Sequence, residues 1–141
     1  MAKIFWDTNL FIYMLEADPN FGANVRDLRR RMLRRSDQLF TSAMTVGEIL
    51  VKPFQTGDNR LADRYRGFLN GPQLTILTFD LDAAEAYAGI RQDRGIQPGD
   101  AIQLACAAAA DVDLFITNDN RLTRRSVPGI KFISSLTDAP I

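Results

Sequence analysis

The chain has 141 residues, of which 46% are apolar, and its 17 basic and 17 acidic residues give a net charge of zero. That length is enough for one domain with its own core, and the chain contains one cysteine and no histidine. These counts exclude an internal disulfide, histidine-based zinc sites, and Ser–His or Cys–His nucleophilic catalysis. No apolar run approaches the ~18 residues of a membrane span, and a single cysteine fits a reducing, cytoplasmic location.

The pattern of apolar residues predicts short strands that alternate with helices. Strands that are apolar throughout and separated by helices are typical of a parallel sheet buried on both faces. We therefore expect an α/β fold, a three-layer sandwich of about five parallel strands with helices on both faces, forming one domain over residues 1–141. In chain order the expected elements are strand 3–6, helix 10–16, helix 21–35, strand 39–41, helix 43–52 ending at Pro53, helix 58–70, strand 74–77, helix 82–94, helix 101–110, strand 114–117 and strand 130–133.

Four acidic residues are candidates for one shared site. Asp7 follows the first predicted strand and Asp119 follows the fourth, so both should lie at the carboxyl edge of the sheet, where ligands bind. Asp100 opens a predicted helix, and Glu48 projects away from the apolar stripe of another. Two carboxylates 4 Å apart repel by ~4 kcal/mol at an effective dielectric near 20, so protonation or a divalent cation must relieve the charge. Mg²⁺ or Mn²⁺ suits such oxygen ligands, and could polarise a phosphodiester and activate water.

Each of these acids also has an ordinary structural interpretation. Asp7 and Asp119 could cap the turns or helices that follow them. Asp100 could be a first-turn carboxylate that complements the helix dipole, and Glu48 could be a solvated helix residue. On the residues alone, the structural and the functional interpretations both remain open.

Three segments carry a resemblance to a known family: FWDTN at 5–9, SAMTVGEIL at 42–50 and GDAIQLACAAAADVDLFITNDNRL at 99–122, with a closing KFI strand after them. The most specific feature is the separation of Asp100 from Asp119 by an alanine-rich helix and a strand. With these segments the chain resembles the PIN-domain nucleases, and among them the VapC-like toxin ribonucleases of toxin–antitoxin pairs, over nearly its whole length. The resemblance implies Mg²⁺-dependent hydrolysis of RNA, a cognate antitoxin and a homodimer.

The resemblance also implies a role for each acid. Asp7 and Asp100 match the family's firmest direct metal ligands. Glu48 and Asp119 match positions that hold metal-bound water or a second, weaker ion. All four acids are therefore expected to be catalytic residues of a hydrolase that cuts phosphodiester bonds, with Mn²⁺ as a possible substitute for Mg²⁺.

Further polar and basic residues are candidates for supporting roles. Asn9 and Thr117 resemble the family's polar support residues and could hydrogen-bond the carboxylates. A predicted helix carries six arginines between residues 26 and 35, which could form either a solvated face or a track for RNA phosphates. The expected RNA contacts within it are Arg29, Arg30 and Arg34.

Three other functions compete with this one. A housekeeping RNA-processing nuclease would share the fold and the chemistry. A receiver-like signalling domain would also have five strands and an acidic Mg²⁺ pocket, but it needs an acidic pair after the first strand and a late Lys-Pro. Here Asp7 has no acidic neighbour and the one Lys-Pro is at 52–53, far too early. A non-catalytic nucleic-acid-binding module would have no use for the four acids.

Overall fold

The computed structural model describes all 141 residues and has one five-stranded parallel sheet with helices packed on both faces. This confirms the predicted α/β sandwich. No helix has the length and apolar character that a bilayer crossing requires. The elements are β1 (Lys3–Trp6), α1 (Thr8–Leu15), α2 (Gly22–Arg35), β2 (Gln38–Ser42), α3 (Ala43–Thr56), α4 (Asn59–Leu69), β3 (Leu74–Leu77), α5 (Leu81–Ile90), α6 (Pro98–Ala109), β4 (Leu114–Ile116), α7 (Asn120–Thr123) and β5 (Phe132–Ser134).

The strand order β3-β2-β1-β4-β5 places the first strand at the centre of the sheet and the last strand at one edge. The chain builds outward from β1 through β2 and β3, and then returns to add β4 on the other side of β1, where Trp6 is in register with Ile116. In parallel sheets, ligands bind at the carboxyl edge where the strand order reverses, which here is between β1 and β4. The order in receiver domains is 2-1-3-4-5, so this topology excludes the receiver-like alternative.

The strands are buried on both faces because their apolar residues alternate between two cores. Phe5 stacks on Phe115 of β4, with ring centroids 4.8 Å apart, in the core beneath α5 and α6. Ile4 and Trp6 point the opposite way and pack with α1 and α2. Burying such a side chain contributes about 1.5–3 kcal/mol, so the central strand β1 is firmly fixed between the two layers.

Pro53, predicted to end the third helix, lies inside it instead. The helix α3 continues to Thr56 and ends at Gly57, whose φ of 67° lies in the left-handed region that glycine tolerates. Pro53 has no amide proton, so the carbonyl of Ile49 loses its helical donor. Ile49 is buried in a cluster with Tyr65 of α4, and the packing of α3 on α4 compensates for the lost hydrogen bond.

Other boundaries differ by a few residues for local reasons. The helix α1 begins two residues earlier than predicted, because Asp7 caps it by accepting from the amide of Thr8. The helix α5 ends at Ile90, short of the predicted residue 94. The last strand is shifted to Phe132–Ser134 because its register is set by pairing with β4.

Candidate active site

Asp7 is a buried carboxylate fixed at the point where the strand order reverses. Its backbone amide donates to the carbonyl of Ile116 at 3.0 Å, which extends the pairing of β1 with β4 by one residue. Its side chain accepts from the amide of Thr8 at 2.8 Å and from the hydroxyl of Thr117 at 2.7 Å. The residue is only 8% exposed, and burial raises the pKa of Asp7 while the bonds from Thr117 and Thr8 oppose that rise. Asp7 therefore caps α1 and also presents a carboxylate to the site.

Glu48 lies on α3 and reaches the same place from the opposite side. Its Oε1 accepts from the hydroxyl of Thr8 at 2.6 Å, so Glu48 contacts the residue that follows Asp7. A β-carbon added to Gly99 would lie 3.9 Å from Glu48 Oε2, which places the first turn of α6 against this carboxylate. Glu48 is thus located between the first turns of α1 and α6.

Asp100 lies in that first turn of α6, where the charges of the other acids affect its pKa. Burial and the neighbouring charge of Asp7 raise the pKa of Asp100 to about 6. Asp119 and Glu48 add to the rise, whereas Arg121 opposes it. The four acids therefore face one crevice, and ionising the last of them works against the other three.

Asp119 is held by an arginine at the exposed side of the crevice. It caps the short helix α7, where its Oδ1 accepts from the amide of Arg121 at 2.9 Å. The guanidinium of Arg121 grips both oxygens, with Nε 3.1 Å from Oδ1 and Nη2 2.7 Å from Oδ2, and this contact lowers the pKa of Asp119. The amide of Asp119 donates to the hydroxyl of Thr117 at 3.1 Å. Thr117 therefore connects Asp119 to Asp7.

A buried group of polar side chains lies beneath Asp7 and Glu48. We call it the Gln103 cluster. Its centre is Gln103 of α6, which is 1% exposed and donates from Nε2 to the hydroxyls of Thr8 at 3.0 Å and Thr45 at 2.7 Å. The other amide atom, Oε1, accepts from the hydroxyl of Ser42. The members of the cluster are Thr8, Thr41, Ser42, Thr45 and Gln103.

In the Gln103 cluster, chemistry fixes which group donates and which accepts each hydrogen bond. An amide nitrogen can only donate, so the hydroxyl of Thr8 must accept from Gln103 and has its one proton left for Glu48. Thr41 donates to the backbone carbonyl of Trp6 at 3.0 Å, which leaves Thr45 to donate within the cluster. Every buried polar atom of the cluster has a partner, and such a network holds its members in place.

The Gln103 cluster was not among the predicted site features. In the structure the residues from Gln103 to Ala108 are all buried. The available signal was an amide side chain among small apolar residues, which must find partners if the helix is covered on all sides.

The two predicted support residues differ in what they contact. Thr117 donates to the Asp7 carboxylate as described above. Asn9 is exposed on α1 and makes no side-chain hydrogen bond to any of the four acids. The neighbouring Thr8 makes the contact for which Asn9 was a candidate.

The predicted RNA contacts on α2 lie away from the acids. Arg29 donates to Gln73, the residue just before β3, at 3.1 Å. Arg30 is 3.7 Å from Asp27 of its own helix. The end of α2 that bears Arg34 leads directly into the start of β2, at the amino edge of the sheet. The acids occupy the opposite, carboxyl edge.

The crevice has the chemistry of a site for a hard divalent cation, although its ligands are not gathered. No three Asp, Glu or Cys side chains lie close enough together to form a ready-made metal site. The donors nearest the crevice are carboxylate and hydroxyl oxygens, which Mg²⁺ and Mn²⁺ prefer. Burial and, after it, the charges of the other acids raise the pKa of Asp100, and a divalent cation would offset both by stabilising the ionised carboxylate. Asp119 would first have to leave Arg121.

Comparison with known protein families identifies the family of this chain. The PIN-domain model matches residues 4–127, which include all four acids. The chain belongs to the PIN-domain family. A search of curated proteins gave no match to this PIN domain.

Solved structures share the fold of this PIN domain. A chain of DNA-bound VapBC from Salmonella typhimurium is 24% identical, with a TM-score of 0.73 over 96% of this chain and 99% of that one. A chain of VapBC2 from Rickettsia felis, bound to a promoter DNA fragment, is 17% identical, with a TM-score of 0.72 over 94% and 97%. VapC20 from Mycobacterium tuberculosis, a toxin that cleaves the sarcin–ricin loop, is 14% identical, with a TM-score of 0.66 over 84% and 92%. At these identities the similarity is one of fold.

Proposed function

We propose that this PIN domain is a divalent-metal-dependent endoribonuclease that acts as the toxin of a type II toxin–antitoxin pair. The observation that carries the proposal is that four carboxylates from different parts of the chain surround the reversal of strand order, near enough for the charges of Asp7, Asp119 and Glu48 to act on Asp100. No histidine exists in the chain to offer another route to hydrolysis. The fold similarity to VapC20, a toxin that cleaves the sarcin–ricin loop, supports RNA as the substrate.

The four acids would have different roles in binding the cation. Asp7 and Asp100 would bind the cation directly, and Glu48 and Asp119 would complete its surroundings. Mg²⁺, or Mn²⁺ in its place, would supply Lewis-acid stabilisation of the charge that develops on the phosphodiester. Thr117 and Thr8 hold the Asp7 carboxylate in one orientation, and Thr8 does the same for Glu48. This prior orientation reduces the reorganisation needed when substrate binds.

The proposed partners follow from the same fold similarity. The Salmonella and Rickettsia structures are VapBC complexes, and the Klebsiella pneumoniae structure, 22% identical with a TM-score of 0.64, is a toxin–antitoxin complex. We therefore propose a cognate antitoxin for this chain. The homodimer is proposed on the family resemblance alone. A ribonuclease of this kind would act in the cytoplasm.

The test is cleavage of single-stranded RNA by the purified protein. We expect cutting with Mg²⁺ or Mn²⁺, none in excess chelator, and none by Asp100→Asn. An intact substrate with both metals would overturn the nuclease proposal. Induced expression should arrest growth, and co-expression of the cognate antitoxin, which we expect to be encoded by a small neighbouring reading frame, should restore it. Cleavage without growth arrest would instead favour the housekeeping nuclease.

A further inference from the structure

The ion pair between Arg121 and Asp119 joins a cation of this chain to one of its own candidate metal ligands. Both carboxylate oxygens are engaged, because the guanidinium contacts one and the other through separate nitrogens. The Arg121 side chain is 62% exposed and has no other hydrogen-bond acceptor, so only this carboxylate holds it. A contact of this kind can be exchanged for another without disturbing the core.

The surroundings of Arg121 are suited to an anion. Together with Asn120, Arg124 and Arg125, it lines a depression of about 380 Å³ beside the crevice. Arg125 is already paired with Asp93 at 2.8 Å, whereas Arg124 has no acidic partner. A concave surface formed by an asparagine and three arginines, next to four carboxylates, places positive charge where an RNA backbone would approach the site.

The chemistry of the two possible partners explains how Arg121 could exchange them. A planar guanidinium binds a phosphate with the same two-pronged geometry that it uses for a carboxylate. Exposed ion pairs contribute little net stability, so the contact to Asp119 is easily given up. A divalent cation carries twice the charge of Arg121 and competes with it for the same oxygens.

We propose that Arg121 is a substrate-binding residue that exchanges partners, holding Asp119 in the free protein and binding a backbone phosphate once a divalent cation has taken Asp119. The proposal rests on the proposed function, since it requires both the cation and RNA. It assigns Arg121 two opposing effects. The residue competes with the metal, and it strengthens the binding of RNA.

The two effects predict changes of opposite sign in Arg121→Met. Titration of the RNA-free protein with Mn²⁺, followed by the electron paramagnetic resonance signal of the free ion, should show at least threefold tighter binding. Fluorescence anisotropy with a single-stranded phosphorothioate RNA, which keeps the backbone charge and resists cleavage, should show weaker binding when Mn²⁺ is saturating. The slope of log affinity against log salt should fall by about 0.7, the contribution of one phosphate on a single strand.

Two further variants separate the ion pair from general electrostatics. Arg124→Met removes the same charge from the same surface but releases no carboxylate, so its Mn²⁺ affinity should rise less than that of Arg121→Met. Arg121→Lys keeps the charge and loses the fork, and should fall between wild type and Arg121→Met in both assays.

The outcomes that contradict the proposal are distinct. If Arg121→Met and Arg124→Met change the Mn²⁺ affinity and the RNA affinity equally, the Arg121–Asp119 pair is a surface salt bridge only. If Arg121→Met binds both Mn²⁺ and RNA more weakly, Arg121 serves to support Asp119. If it binds Mn²⁺ more tightly and RNA unchanged, Arg121 competes with the metal but does not bind the RNA. In each case wild type still binds Mn²⁺ and cuts RNA. A wild-type protein that does neither would overturn the proposed function, and the exchange with it.

Discussion

The two sides of the crevice hold their carboxylates in different ways. On the inner side, the buried Asp7 and the exposed Glu48 are both hydrogen-bonded to buried Thr8 of the Gln103 cluster, and Asp7 also accepts from buried Thr117. On the outer side, Asp119 is held by Arg121, which is mostly exposed. Leaving a buried polar group without its partner costs about 1–3 kcal/mol, whereas an exposed ion pair contributes about 0–1 kcal/mol. The inner side is therefore fixed before any ligand arrives, and the outer side can be rearranged by one.

The largest expected effect is the loss of an inner or central carboxylate. Asp7→Asn and Asp100→Asn keep the shape of the side chain and remove its charge, and each should lower the rate of RNA cleavage at least ~100-fold, beyond the 10–100-fold typical of residues that only support metal ligands. Asp119→Asn should be milder. Rates measured with saturating Mg²⁺ on one single-stranded RNA test this order. A greater loss in Asp119→Asn than in Asp7→Asn would invert the comparison.

The next largest effect concerns the hydrogen bonds that Gln103 donates within the Gln103 cluster. Gln103→Met should leave buried hydroxyls without partners and lower stability by ~1–3 kcal/mol. Gln103→Glu should turn the hydroxyl proton of Thr8 away from Glu48, and should lower the cleavage rate about tenfold or more. Urea unfolding and cleavage rates measure these two changes. Gln55→Met, at an exposed position on α3, is the matched control. If both Gln103 variants equal that control, the inner side is not held by this cluster.

A smaller effect is a dependence of metal-free stability on pH. The pKa of Asp100 rises to about 6 in the folded protein, above its ordinary value of 3.8, so the folded state binds the proton more tightly than the unfolded state. The stability from that proton is present below about pH 4 and is lost as pH rises through 6. We expect the Tm of metal-free wild type to fall by a few degrees relative to Asp100→Asn across this range.

The difference between the two proteins is the quantity to measure, because carboxylates with lowered pKa, such as Asp37, act in the opposite direction. Scanning calorimetry from pH 4 to 7, with and without Mg²⁺, supplies it. Mg²⁺ should remove the loss by neutralising the crevice. If the difference in Tm between wild type and Asp100→Asn does not vary with pH, the pKa of Asp100 is not raised in the folded protein.

The smallest expected effect belongs to the arginine run on α2. Replacing Arg29, Arg30 and Arg34 together by Ala should flatten the salt dependence of RNA binding if they contact phosphates. Because they lie at the amino edge of the sheet, we expect this change to be smaller than that of Arg121→Met alone. An unchanged slope would assign the run to solvent and to ion pairs such as that of Arg30 with Asp27.

The strands, and the place of Asp7 and Asp119 in the sheet, could be predicted because they follow from local patterns, whereas Glu48 and Asp100 were joined to the candidate site by the family resemblance. Apolar runs mark the strands, and an acid directly after a strand of a parallel sheet must lie at the carboxyl edge. The structural interpretation of each acid is also correct in part. Asp7 and Asp119 do cap α1 and α7. Local sequence could not choose between capping and a shared site, because a carboxylate that caps a helix at the carboxyl edge of the sheet also faces the crevice.

The Gln103 cluster and the course of α3 could not be predicted in the same way. Thr8, Thr45 and Gln103 meet because α1, α3 and α6 converge at one end of the sheet, and no local period records that contact between helices. Pro53 is a helix breaker by its own chemistry, and only the packing of α3 on α4 overrides it. Both cases depend on residues distant in sequence.

The strand order has a consequence for the protein while it is being made. Asp7 leaves the ribosome long before β4 does, so β1 has no neighbouring strand on the side opposite β2 until β4 has been synthesised. Until then the amide of Asp7 lacks the carbonyl of Ile116, and its carboxylate lacks the hydroxyl of Thr117. A chain that ends before β4 therefore lacks Asp119 and also lacks the groups that hold Asp7 in place. On the proposed function, we expect such a truncated chain to be inactive.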